Sequence, residues 1–162
     1  MNNNLFALSK KLGQLCVKRH MQIALAESCT GGNVSTLITT VAGSSHWFNG
    51  SAVVYSNLAK TNILGISAEI IKKHGAVSEV VAKAMAQGAM HQLHADVALY
   101  ITGVAGPSGG TAEKPIGTVC FALSDKDGVA SKTMLFTSGR AHIRYCASLF
   151  ALEWMIMHLS IQ

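Results

Sequence analysis

The sequence predicts a single three-layer α/β/α domain with a mixed, mostly parallel sheet and a C-terminal β-hairpin plus helix. Three observations point there. Short apolar runs alternate with segments of helical spacing, the order that βαβ units produce. Late in the chain, the turn Asp125-Lys126-Asp127-Gly128 separates two strand-like runs, as in a hairpin. The chain has 162 residues, 49% of them hydrophobic and 13% charged, which fits one domain with a sizeable core over residues 1–162.

Each element has its own warrant. Leu5, Leu8, Leu12, Leu15 and Cys16 recur at helical spacing over residues 5–19. Ile23–Glu27 is a short apolar run that reads as a buried strand. Val34, Leu37, Ile38 and Val41 mark a helix that Gly43-Ser44-Ser45 breaks. Ser51–Tyr55 reads as a second strand, followed by a short helix from Asn57 to Leu64 that Gly65 stops. Ser67 caps a helix that ends at Gly75, and Ser78 with Glu79 starts a longer one to about His94. Asp96–Val104 is the strongest buried strand. A glycine-rich loop over Ala105–Lys114 leads to strands over Gly117–Leu123 and Val129–Thr137, and Arg140–Leu159 closes the fold as a helix.

Composition excludes several function classes. The most apolar stretches, Val97–Val104 and Ser148–Leu159, fall short of the ~20 residues that a bilayer-spanning helix requires. Met1–Leu5 lacks the basic start and apolar run of an export signal. The expectation is a cytoplasmic protein whose four cysteines are reduced. Thirteen Lys and Arg against eight Asp and Glu leave a net charge of +5. The basic residues are scattered, with no run and no interleaved aromatics, so a small anion suits them better than nucleic acid. Few charges for this much surface predict a homo-oligomer.

Three segments carry residues that folding alone does not ask for. In Ala26-Glu27-Ser28-Cys29-Thr30-Gly31-Gly32, a strand end, small polar residues and a helix start converge. Orphan backbone N–H groups at such a point stabilise an anion or an oxyanion, and Ser28 stands where a nucleophile on a tight turn would stand. The bland alternative is that Ser28 or Thr30 only caps the helix. In Tyr55-Ser56-Asn57-Leu58-Ala59-Lys60, a second strand end precedes Lys60 by one helical turn. A lysine becomes a base for serine only when burial or neighbouring positive charge disfavours its ammonium form; otherwise it is a surface lysine. The third segment, Thr102-Gly103-Val104-Ala105-Gly106-Pro107-Ser108-Gly109-Gly110, opens a buried strand into a loop that either wraps a ligand or is a long surface turn. It matches no P-loop and no dinucleotide fingerprint. Cys29 is a rival nucleophile. His91 and His94 share a helix face but lack a third ligand at matching spacing, so no metal is expected.

Taken together, these segments, with Gly43-Ser44-Ser45, Gly75-Ala76-Val77-Ser78 and Lys114-Pro115 before Gly117-Thr118, closely resemble the CinA C-terminal domain family. The resemblance spans about Leu5 to Leu159. Stand-alone members are nicotinamide-nucleotide amidases, so it implies hydrolysis of the carboxamide of nicotinamide mononucleotide to nicotinate mononucleotide and ammonia, without cofactor or metal. It also implies Ser28 as nucleophile, Lys60 as base and Tyr55 beside them. The substrate-binding set it implies is Thr30, Gly31, Gly32, Gly43, Ser44, Asn57, Thr102, Gly103, Ala105, Gly106, Gly109 and Gly110. Arg140 and Arg144, one helical turn apart, either reach the substrate phosphate or form a solvated helix face. The family also admits a catalytically inactive, nucleotide-binding relative with a regulatory role.

Overall fold

The computed structural model describes residues 3–161; Met1, Asn2 and Gln162, and with them the start of the segment read for an export signal, lie outside the described residues. Helix α1 (Asn3–Arg19) precedes strand β1 (Ile23–Glu27), helix α2 (Asn33–Thr39) and a single 3-10 turn at Ser44–His46. Strand β2 (Phe48–Val53) follows, then helices α3 (Asn57–Leu64), α4 (Ala68–His74) and α5 (Glu79–Gln92). Strands β3 (Val97–Gly103), β4 (Thr118–Asp125) and β5 (Gly128–Leu135) and helix α6 (Arg140–Ile161) complete the chain.

The five strands form one sheet in the order β2-β1-β3-β4-β5. β1 pairs in parallel with β2 and β3, whereas β4 is antiparallel to both β3 and β5. Four strands therefore point one way and β4 alone runs against them, as a mixed, mostly parallel sheet requires. The chain leaves β1 for α2 on one face and leaves β2 for α3 on the other. The carboxyl ends of β1 and β2 thus flank a crevice where crossovers diverge, the place where open α/β sheets hold ligands.

The faces differ in side-chain size. Ile23, Leu25, Val97, Leu99, Ile101, Val119, Phe121 and Leu123 point towards α1, α2 and α6. The alternating residues Ala24, Ala26, Ala98, Tyr100, Cys120 and Ala122 point towards α3, α4 and α5. A period of two sorts them, and alanines on the second face let α5 lie close to the sheet. Gly88 extends this closeness to α3: a Cβ there would stand 2.4 Å from the Leu64 carbonyl oxygen. That contact seats the helix that carries Lys60.

Three helix starts behave as the sequence indicates. Ser56, Ser67 and Ser78 accept hydrogen bonds from the amides of Ala59, Glu69 and Val81. Strand β2 starts three residues before the expected Ser51 and ends at Val53. Parallel pairing begins at Ile23–Phe48 with an irregularity before Ala24–Gly50, and Asn49-Gly50 hides that start from any propensity argument. All four cysteines are free thiols.

Candidate active site

Ser28 lies one residue beyond β1. Its amide donates to the Ile101 carbonyl at 2.9 Å, which carries the β1–β3 ladder one step past the strand. Since Ala26 pairs with Tyr100, the same register sets Ser28 beside Thr102, on the alanine-lined face. The side chain is buried but for 8% of its surface.

Lys60 reaches it from above. It is the fourth residue of α3 and only 2% exposed, an unusual environment for lysine. Its Nζ stands 3.3 Å from Ser28 Oγ and donates to the Val54 and Tyr55 carbonyls at 2.9 and 3.1 Å. Those carbonyls are free because the chain leaves β2 at Val53. No carboxylate pairs with Lys60 among the described residues, and burial lowers its pKa from the usual lysine range. An anionic neighbour would oppose that shift, but burial pushes the Cys29 thiol up to about 12 and keeps it neutral. That same shift leaves Cys29 a poor rival to Ser28 as nucleophile.

The turn after Ser28 differs from the open anion cradle that its composition suggested. Glu27, fully buried at the end of β1, accepts hydrogen bonds from the amides of Gly32, Val34 and Ser35 and from the Ser35 hydroxyl. The Gly31 amide returns to the Ser28 carbonyl at 3.0 Å. Gly31 and Gly32 therefore shape the turn, and their amides are spent within it. The amides of Cys29 and Thr30, immediately after Ser28, make no backbone–backbone hydrogen bond and lie against the Cys29 sulfur. Thr30 Oγ1 is buried without a partner.

Other expected residues divide into those near this crevice and those away from it. The Tyr55 side chain is 59% exposed and its phenol accepts from Arg140 at 2.9 Å, so Tyr55 meets Lys60 through its carbonyl. Arg140 also donates to the Gly106 carbonyl at 2.8 Å, while Arg144 donates to Thr30 O at 2.8 Å and Asn33 Oδ1 at 3.3 Å. Arg144 thus ties α6 to the turn after Ser28, and Arg140, itself exposed, ties it to the loop after β3 and to Tyr55. Thr102 is buried at the end of β3, and Gly103 beside it packs against Val119. Ala105 is buried; Gly106 and Gly110 close on Ile116, and Gly109 is exposed. Asn57 is exposed at the start of α3. Gly43 and Ser44 sit elsewhere: they begin the 3-10 turn whose end, Trp47, pairs with Ile23 at the other end of β1. Gly43 there borders a separate groove of about 590 Å³ lined by Gly13, Val17 and Trp47. Sequence reading missed two residues, Glu27 as the cap of α2 and Tyr100 beside Ser28. A signal for Tyr100 existed, since it is the one bulky residue among the alanines of its face. Among the described residues, no group of three His, Cys, Asp or Glu gathers as metal ligands, and no helix is long and apolar enough to cross a membrane.

The model of the CinA C-terminal domain matches residues 5–159. The chain belongs to that family. CinA-family structures share its whole fold: a competence/damage inducible protein CihA from Agrobacterium tumefaciens superposes with a TM-score of 0.94 at 36% identity, covering 99% of this chain and 98% of that one. The nicotinamide-nucleotide amidohydrolase PncC of Enterobacter agglomerans is 44% identical over 150 residues, 92% of each chain. A CinA-like protein of Syntrophobacter fumaroxidans is 48% identical over 145 residues, 90% of this chain. The chain spans only 34% of that CinA-like protein, and 38% of a relative from Symbiobacterium thermophilum.

Proposed function

We propose that this chain is an amidohydrolase that converts the carboxamide of nicotinamide mononucleotide to the carboxylate of nicotinate mononucleotide, releasing ammonia. The observation that carries this reading is the burial of Lys60 Nζ between two carbonyls and the Ser28 hydroxyl. A neutral amine has two N–H bonds and one lone pair. With both N–H bonds directed at Val54 and Tyr55, the lone pair is left for the Ser28 proton. The backbone thereby orients the base, and no third side chain is required.

The steps follow from that arrangement. Ser28 Oγ attacks the amide carbon as its proton passes to Lys60. The oxyanion that forms takes the amides of Cys29 and Thr30, which have no backbone partner. Lys60, now an ammonium, hands its proton to the departing nitrogen, ammonia leaves, and an acyl ester on Ser28 remains. Water then attacks the ester, Lys60 again accepting a proton and returning it to Ser28 Oγ as the carboxylic acid departs and ionises to the carboxylate in solvent. The basic surface and the donors of Arg140 and Arg144 suit the nucleotide phosphate. Similarity to an amidohydrolase of nearly the same length supports the substrate class.

An ammonia-release assay on nicotinamide mononucleotide tests the proposal. Ser28→Ala and Lys60→Ala each lower kcat by about a thousandfold, in line with removal of a nucleophile or its base. Saturable nucleotide binding by the unaltered protein, with no ammonia after long incubation, would replace the hydrolase with a nucleotide-binding regulator. The same reading places the protein in the cytoplasm and in a homo-oligomer. Exposed Val53, Leu58 and Ile63 near the edge strand support self-association, which sedimentation would measure.

A further inference from the structure

The phenol of Tyr100 is fully buried, and its oxygen has no hydrogen-bond partner. Leaving such a group unsatisfied costs stability, and a phenylalanine would fill the same space without that cost. The register puts the side chain directly before the Ser28/Thr102 pair, on the face that Lys60 approaches. The Ser28 and Thr102 hydroxyls are the polar groups that bear on the phenol, though neither completes a hydrogen bond to it as placed. Burial raises the phenol's pKa above its ordinary value, so it stays protonated and keeps an O–H to donate.

We propose that Tyr100 is a positioning residue for the nucleophile, its O–H donating to Ser28 Oγ when negative charge develops there. Ser28 Oγ has two demands on it. Its proton must face the Lys60 lone pair, and its remaining lone pairs must be steadied without a second base competing for that proton. A donor that never ionises meets the second demand, and the hydrogen bond strengthens as the alkoxide character grows. The chain thereby keeps an otherwise costly orphan at the floor of the crevice. The inference rests on Ser28 being the nucleophile, as the proposed function has it.

A small aryl sulfonyl fluoride reads this directly, whatever the natural substrate. Ser28 Oγ forms a bond to sulfur, the S–F bond breaks, fluoride leaves, and the hydroxyl proton passes to Lys60. Intact-mass measurement follows the adduct, with Ser28→Ala as the control for its position. Tyr100→Phe removes one unpartnered atom, so the melting temperature stays level or rises. The rate of Ser28 sulfonylation is expected to drop about tenfold, as is kcat on nicotinamide mononucleotide, with KM little changed. A Tyr100→Phe protein labelled as fast as the unaltered one overturns the proposal for Tyr100 while leaving Ser28 in place. Failure of the unaltered protein to label at Ser28 overturns both.

Discussion

Two chain reversals meet at the carboxyl edge of the sheet and are built on different principles. The turn after β1 is short, buried and closed by one side chain: Glu27 takes the amide of Gly32 and two amides of α2, which leaves the amides of Cys29 and Thr30 without a backbone partner. The loop between β3 and β4 is long and largely exposed, and backbone contact closes it. The Gly117 amide donates to Val104 O at 2.7 Å, Phe136 N donates to Gly117 O at 3.0 Å, and Ile116 folds over Gly106 and Gly110. The first reversal is rigid because a carboxylate organises it; the second holds its shape only where side chains are absent. Chemistry that requires a nucleophile fixed within tenths of an ångström belongs in the first. On the proposed function, the wall for the nucleotide is left to the second.

The loop is the easier of the two to break. Gly117 has φ +96°, and a Cβ there would lie 1.8 Å from the Phe136 carbonyl oxygen, a distance that backbone must move to relieve. Gly117→Ala combines left-handed strain with that clash and costs about 3–5 kcal/mol, a fall in melting temperature on the order of 10 °C. Thermal unfolding followed by circular dichroism checks it. A change below about 1 kcal/mol would show that the loop relaxes freely and is not held by its close approach to Phe136.

Lys60, which reaches Ser28 at the first reversal from α3, gives a test of intermediate size, and pH sets its sign. Burial lowers the folded-state pKa below that of the unfolded chain, so between those two values the unfolded state binds more protons at this residue. Lys60 therefore weakens the fold at low pH, and the penalty fades as pH rises from the folded pKa towards the unfolded value near 10.5. Lys60→Met should melt higher than the unaltered protein at pH 7, by about 2–4 °C for each kcal/mol of relieved burial, with the gap narrowing by pH 10. On the proposed function, activity of the unaltered protein should rise with pH through the same ionisation. Melting curves that stay parallel at every pH would mean that the amine is not held neutral by burial.

Much of this was legible in the sequence, and the limits have physical causes. The helix over Asn57–Leu64 matches the expected bounds because Ser56 and Gly65 punctuate it locally. Ser28 and Lys60 were readable as candidates, but their contact depends on β1 and β2 being adjacent and parallel, a long-range fact with no local signature. Glu27 was opaque for a different reason: its partners lie five to eight residues ahead, across a turn, where no capping-box spacing applies. Gly43 and Ser44 matched the family by motif, yet a motif carries no address within the sheet. Arg140 and Arg144 showed helical spacing but not what lay opposite them.

Arg140 supplies the smallest and most discriminating test of the two reversals. It ties the loop to the segment between β2 and the Lys60 helix, donating to Gly106 O and to Tyr55 Oη. Being exposed, it contributes under about 1 kcal/mol to stability, so Arg140→Ala should melt close to the unaltered protein. Its effect should fall on binding, because losing the tether loosens the wall without touching the Ser28–Lys60 contact. A rise in KM for the nucleotide of roughly three- to tenfold at unchanged kcat is expected. An equal loss in kcat would instead place Arg140 in the transition state, making the adaptable loop part of the chemical apparatus and erasing the division of labour between the two turns.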